Sequence, residues 1–149
     1  MSDEQFWDLI SRLDWSRAGD DEAVIEPVIA IVAAMGANAA SAFEDVLAQK
    51  LYELDTREHA RNIGEYAFVD GENDLFSVDW FLYARCVVVA NGRAFFTKVL
   101  RNPELFPKDM DFEALLAIAP QAYERVTGQP FDHLTPVSYE TFSNRSGWV

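Results

Sequence analysis

The run from Val78 to Ala90, VDWFLYARCVVVA, is apolar on nearly every face of a helix, with Asp79 and Arg85 as its only charges. A helix of that kind has no side to turn toward water, so it must lie inside a fold and be coated by other elements. Ser77 stands where an N-cap is needed to accept the first orphan amides, and Gly92 fits the left-handed position that ends helices. Phe95, Phe96, Val99 and Leu100 resume a 3.6-residue pattern in a second segment, which Pro103 closes. The stretch predicts a buried central helix over about 77–91.

The remaining segments read as its cover. Ser2 and Gln5 have capping-box spacing ahead of a face made by Phe6, Leu9, Ile10 and Leu13. After a break at Trp15–Gly19, Asp20 or Asp21 can cap a helix carrying Val24, Ile25, Val28, Ile29 and Val32. Pro27 either kinks that helix or begins its regular part. Asn38 is placed to cap a third helix with Phe43, Val46, Leu47, Leu51 and Leu54 inward. Thr56 is placed to cap a fourth, running through His59, Ile63 and Tyr66 to about Phe68. Phe112, Leu115, Leu116, Ala119, Tyr123 and Val126 mark the last helix, which Pro120 should bend or open and Gly128 stops.

Beyond Gly128 the period dissolves, yet Phe131, Tyr139, Phe142 and Trp148 make the tail too aromatic for a disordered one. A short helical turn near Ser138 is expected within it. The fold predicted is all-α: a single compact domain of about six or seven helices around the buried helix at about 77–91. Residues 1–128 form the helical body, and 129–149 form an irregular aromatic strap packed on the same domain.

These residues also resemble a bacterial family of uncharacterised proteins, the domain of unknown function 4240, over roughly Phe6 to Gly128. Phe6-Trp7-Asp8-Leu9-Ile10 is similar to the family's opening motif. Ser77, Asp79, Phe81, Arg85, Gly92 and Pro103 fall on its central signature, and Ala122-Tyr123-Glu124 with Thr127-Gly128 on its closing one. Phe76, Val78, Ala84 and Val87 depart from that signature. The resemblance implies a helical fold and brings no activity with it.

Charge narrows the partners. The net charge is −13, and residues 1–74 hold 17 acidic against 5 basic side chains, while residues 75–149 hold 8 against 7. Phosphate backbones and anionic lipid heads would be repelled, so neither nucleic acid nor membrane is an expected partner. A basic protein is, with Asp20, Asp21, Glu22, Glu26, Asp70, Glu72 and Asp74 as the candidate contact residues. The acidic start MSDEQFWDL lacks the basic and apolar regions of a secretory signal, and the single Cys86 cannot form an internal disulfide. A cytoplasmic location is expected; the oligomeric state is left open.

Recognisable chemistry is sparse. Asp70-x-Glu72-x-Asp74 alternates like a calcium loop, but its sixth position is Leu75 where a Gly is needed and its twelfth is Phe81 where a Glu is needed. His59 and His133 are the only histidines and show no zinc-ligand spacing. Cys86 sits in the most apolar helix, where a thiol is a small core residue. Neither catalytic residues, nor a metal, nor a cofactor is expected. Asp79 and Arg85, six residues apart, lie about 120° from each other around a helix and so need separate partners. Arg85 is expected to be pinned by an acidic residue from another helix, with Asp79 serving the helix start.

The expected function is that of a non-enzymatic acidic interaction domain, one form of which is a bacterial immunity-type protein neutralising a basic toxin. The alternative is a small ligand-binding domain or enzyme built on a Ser77, Asp79 and Arg85 cluster.

Overall fold

The computed structural model describes residues 1–71 and 75–149. It is all-α: seven α-helices and several short 3-10 turns, with no strand among the described residues. The chain forms two compact units, Met1–Leu47 with Ala114–Pro136, and Ala48–Glu113 with Val137–Val149.

In the first unit, α1 (Asp3–Ile10) starts with the capping box expected of Ser2 and Gln5: the Gln5 amide donates to Ser2 Oγ at 3.1 Å, and the Ser2 amide to Gln5 Oε1 at 2.9 Å. Its inner face carries Phe6, whose ring stands 5.1 Å from that of Phe43 on α3 (Ala37–Glu53). Asp20 caps α2 (Asp21–Met35), accepting from the Ala23 amide at 3.2 Å. The helix runs on through Pro27, although proline removes one amide donor from its ladder. Val24, Ile25, Val28, Ile29 and Val32 are buried, and α2 packs along α7 (Ile118–Thr127). The segment expected as one last helix is split there. Glu113–Ala117 winds as a 3-10 turn, and the regular helix begins at Ile118, which leaves Pro120 in a first turn whose amides have no partner within that helix, so its missing N–H breaks no rung of it. Val126 is exposed rather than on the inner stripe. Asn38 lies inside the first turn of α3, where the amides of Ala39 and Ala40 donate to the Gly36 carbonyl instead.

The second unit is built around α5 (Val78–Ala90). Ser77 caps it, accepting from the Trp80 amide at 3.1 Å. Phe81, Leu82 and every residue from Ala84 to Ala90 are buried, on all sides of the helix, as its composition required. Trp80 and Tyr83 are half-buried. Asn91 caps the end of α5, and Gly92 (φ 98°, ψ 172°) instead precedes α6 (Arg93–Arg101), in a conformation open essentially to glycine alone. Phe96 and Val99 of α6 are buried, and Pro103 opens a 3-10 turn after it.

The fourth helix stops much sooner than its periodicity predicted. Thr56 does cap it, but α4 spans only Arg57–Ala60. Asp109 diverts the following backbone: its amide donates to the Ile63 carbonyl at 2.9 Å, and its carboxylate accepts from the Glu65 amide at 2.7 Å. Gly64 lies between these two bonds at φ 106°, where a Cβ would run into Asp109. A long-range partner thus takes the polar groups that would have continued the helix.

Candidate functional site: a buried carboxylate and arginine under the C-terminal segment

Ser77, Asp79 and Arg85 share α5 but not a surface. The Ser77 hydroxyl is used in the cap, and Asp79 is exposed in the first turn. Arg85, by contrast, is fully buried. Its guanidinium donates to the Leu51 carbonyl at 2.8 Å and to Thr141 Oγ1 at 3.0 Å, and lies 4.7 Å from the centre of the Phe81 ring. The expected salt bridge from another helix is absent among the described residues. A backbone carbonyl at the end of α3 and a hydroxyl from the C-terminal segment fill its place. Burial pulls the pKa of Arg85 down to about 10, and the nearby charge of Asp55 opposes that shift.

Asp55, between α3 and α4, organises this interior. It is fully buried, and among the described residues its carboxylate accepts from the chain's last eight. One oxygen accepts from the Phe142 amide at 3.2 Å and from Trp148 Nε1 at 2.9 Å; the other accepts from the Asn144 amide at 3.0 Å. Asn144 also donates its side-chain amide to the Tyr52 carbonyl at 3.0 Å, and Arg57 donates to the Trp148 carbonyl at 2.6 Å. Gly147 passes so close that a Cβ on it would stand 2.9 Å from the Asp55 carbonyl oxygen. Trp148 completes an aromatic cluster, its ring 4.5 Å from Phe142, 5.3 Å from Phe68 and 6.1 Å from Phe81. The aromatic strap is therefore real, and its helical turn is at Arg145–Gly147 rather than near Ser138. Residues 129–136 belong to the first unit, where Phe131 packs on Tyr123 at 5.3 Å and His133 meets Asp45 at 2.7 Å.

His59 is another polar group buried inside the second unit. Its Nε2 faces the Val99 carbonyl at 3.0 Å, so the proton is on that nitrogen, and Nδ1 accepts from the Thr56 hydroxyl at 2.6 Å. Burial lowers its pKa below the usual histidine value. In the sequence His59 stood out only as a histidine without zinc-ligand spacing, and Asp55 did not stand out at all. In so acidic a chain a carboxylate at a helix boundary looks like any other, and nothing near Asp55 in sequence announces donors from residues 142–148.

The acidic candidates fall into two sets. Asp20, Asp21, Glu22 and Glu26 are exposed at the start of α2, in the first unit. Glu26 is held by both arms of Arg125 at 2.7 and 2.6 Å, and that hydrogen bonding keeps its pKa below the usual glutamate value. Asp70 belongs to the second unit and is ion-paired with Arg61. Glu72 and Asp74 lie outside the described residues. Among the described residues no cluster of three or more histidine, cysteine or acidic side chains is placed to hold a metal ion, and no helix is long and apolar enough to cross a membrane.

Neither the curated proteins nor the solved structures contain a match to this chain. A family model does match, over residues 1–125, and it is described as a protein of unknown function, DUF4240. The capped first helix with its buried Phe6, Leu9 and Ile10, and the central helix that buries Arg85, both lie within that range, and the chain belongs to the DUF4240 family.

Proposed function

We propose that this protein is a non-enzymatic, cytoplasmic interaction domain that binds a basic protein partner through the carboxylates at the start of α2. A bacterial immunity-type protein that neutralises a basic toxin is the concrete form this takes. The observation that carries the reading is the charge of the first unit. Residues 1–47 and 114–136 hold 12 acidic side chains and 3 arginines. Two of those arginines, Arg12 and Arg125, already face Asp8 and Glu26. Asp20, Asp21 and Glu22 stay exposed at the start of α2. A field of one sign steers an oppositely charged protein to the surface and accelerates encounter more than it slows departure.

The test begins with the full chain as bait in an extract of its host, followed by kinetics on the purified captured protein. The association rate should fall steeply as salt rises, since screening shortens to about 10 Å at 0.1 M. The variant Asp20→Asn/Asp21→Asn/Glu22→Gln should associate more slowly at low salt and dissociate at a nearly unchanged rate. A neutral or acidic partner, or an association rate indifferent to these three changes, would overturn the reading.

A further inference from the structure

Two helices of this chain have the composition of buried helices, and only one of them is buried. From Ala23 to Met35, α2 reads AVIEPVIAIVAAM, with Glu26 as its single charge. An apolar helix of this kind should be covered on every side. In α5 that holds. In α2 only Val24, Ile25, Val28, Ile29 and Val32 are buried; Ala30, Ile31, Ala34 and Met35 are exposed, Met35 to 50 %. Ile31 and Met35 are one helical turn apart and so stand side by side. Glu22 and Glu26 point out beside Ala30 and Ala34, and α7 carries an open hollow of about 400 Å³ lined by Gln121, Glu124 and Arg125, the last tied to Glu26.

We infer that the outward face of α2 is the docking site for an amphipathic helix of the partner, with an apolar stripe for Ile31 and Met35 and a basic end for Asp20, Asp21 and Glu22. This rests on the basic-partner reading and names the surface and the element that would fit it. Charge decides between the possible occupants. A second copy of this chain brings −13 against −13. Parallel pairing of two α2 helices sets Asp21 and Glu22 against their own kind. Antiparallel pairing sets them against a helix end that has no basic residue in its last turn and carries the negative pole of its own dipole. A helix with lysine or arginine in its C-terminal turn, laid antiparallel, escapes the first penalty and offsets the second, because full positive charges there outweigh the negative pole of its dipole. An apolar face laid along such a surface is a recurring mode of helix recognition, with anchors one turn apart.

The probe is a synthetic Leu/Lys amphipathic helix, with a Leu/Glu helix of the same pattern as its control, titrated against the full chain by fluorescence anisotropy. The Leu/Lys helix should bind and the Leu/Glu helix should not. Ile31→Gln/Met35→Gln keeps the charge unchanged and should weaken binding at least about tenfold, which is about 1.4 kcal/mol. Ala30→Gln/Ala34→Gln reads the same face independently. Asp20→Asn/Asp21→Asn/Glu22→Gln should weaken binding at low salt and by less at high salt. If that variant loses binding while both apolar-face variants bind like the original chain, the acidic reading survives and this inference fails. If none of the variants matters, both fail. Sedimentation of the original chain as a dimer that Ile31→Gln/Met35→Gln dissolves would make a second copy the occupant and overturn the basic helix.

Discussion

The two units handle charge in opposite ways. The first keeps it outside: Glu26 with Arg125 and Asp8 with Arg12 are solvent-exposed pairs, and apart from Glu44 its buried set is apolar. The second takes charge inside, burying Asp55 and Arg85 and most of Lys50, together with the neutral imidazole of His59. Exposed pairs gain little, because water and salt already satisfy each partner. A buried ionised group is different: once desolvated it depends on whatever donors or acceptors the fold supplies, and losing them is costly. The first unit should therefore tolerate loss of its ion pairs, whereas the second should be fragile wherever a polar partner is removed.

The largest expected effect comes from cutting the chain after Thr141. That removes all three donors to Asp55 and the Trp148 ring, and should cost about 3–5 kcal/mol, the range for a stranded buried charge. Urea unfolding measures it, and a loss below about 1 kcal/mol would mean that Asp55 is not buried as described. Extending the chain past Val149, which is 99 % exposed, should change little.

Arg85→Met ranks next. It removes the cation together with its need for partners, so it should cost about 1–3 kcal/mol, less than the truncation. Val88→Ala, which leaves only a cavity at a fully buried position of α5, should fall in a similar range of about 1–3 kcal/mol. If Arg85→Met proves worse than cutting the chain, the carboxylate is not the more demanding of the two buried charges.

The pH effect is smaller and has a fixed sign. Burial holds the His59 pKa below its ordinary value, which is about 6.5 in an unfolded chain. As pH falls, the unfolded state takes up that proton first, so the contribution is whole above about pH 6.5 and declines below it. His59→Gln should flatten the stability profile over that window; an unchanged slope would assign the acid sensitivity to other groups. The smallest effect belongs to the first unit. Arg125→Met should shift stability by less than about 1 kcal/mol, and the shift should shrink with salt. A cost there equal to that of Arg85→Met would erase the contrast between the units.

Much of the fold could be read from the chain because it depends on neighbours three or four residues apart. Ser2, Asp20, Thr56 and Ser77 cap the helices they precede, since a cap needs only its own first turn. The all-apolar run of α5 implied burial without reference to any partner. The candidate site was legible only in part: Arg85 could be picked out as an interior cation, but its partners could not be named.

Only the tertiary structure could decide those. The two terminal nitrogens of Arg85 donate to the carbonyl of Leu51 and the hydroxyl of Thr141, and Asp55 accepts from groups about ninety residues further on, which no local period encodes. The same holds for α4, whose pattern continues past Ala60 while Asp109 takes the hydrogen bonds that would have extended it. Within a few residues the chain's own periodicity settles what forms; over longer spans a buried polar group takes the nearest partner that the packed backbone brings to it.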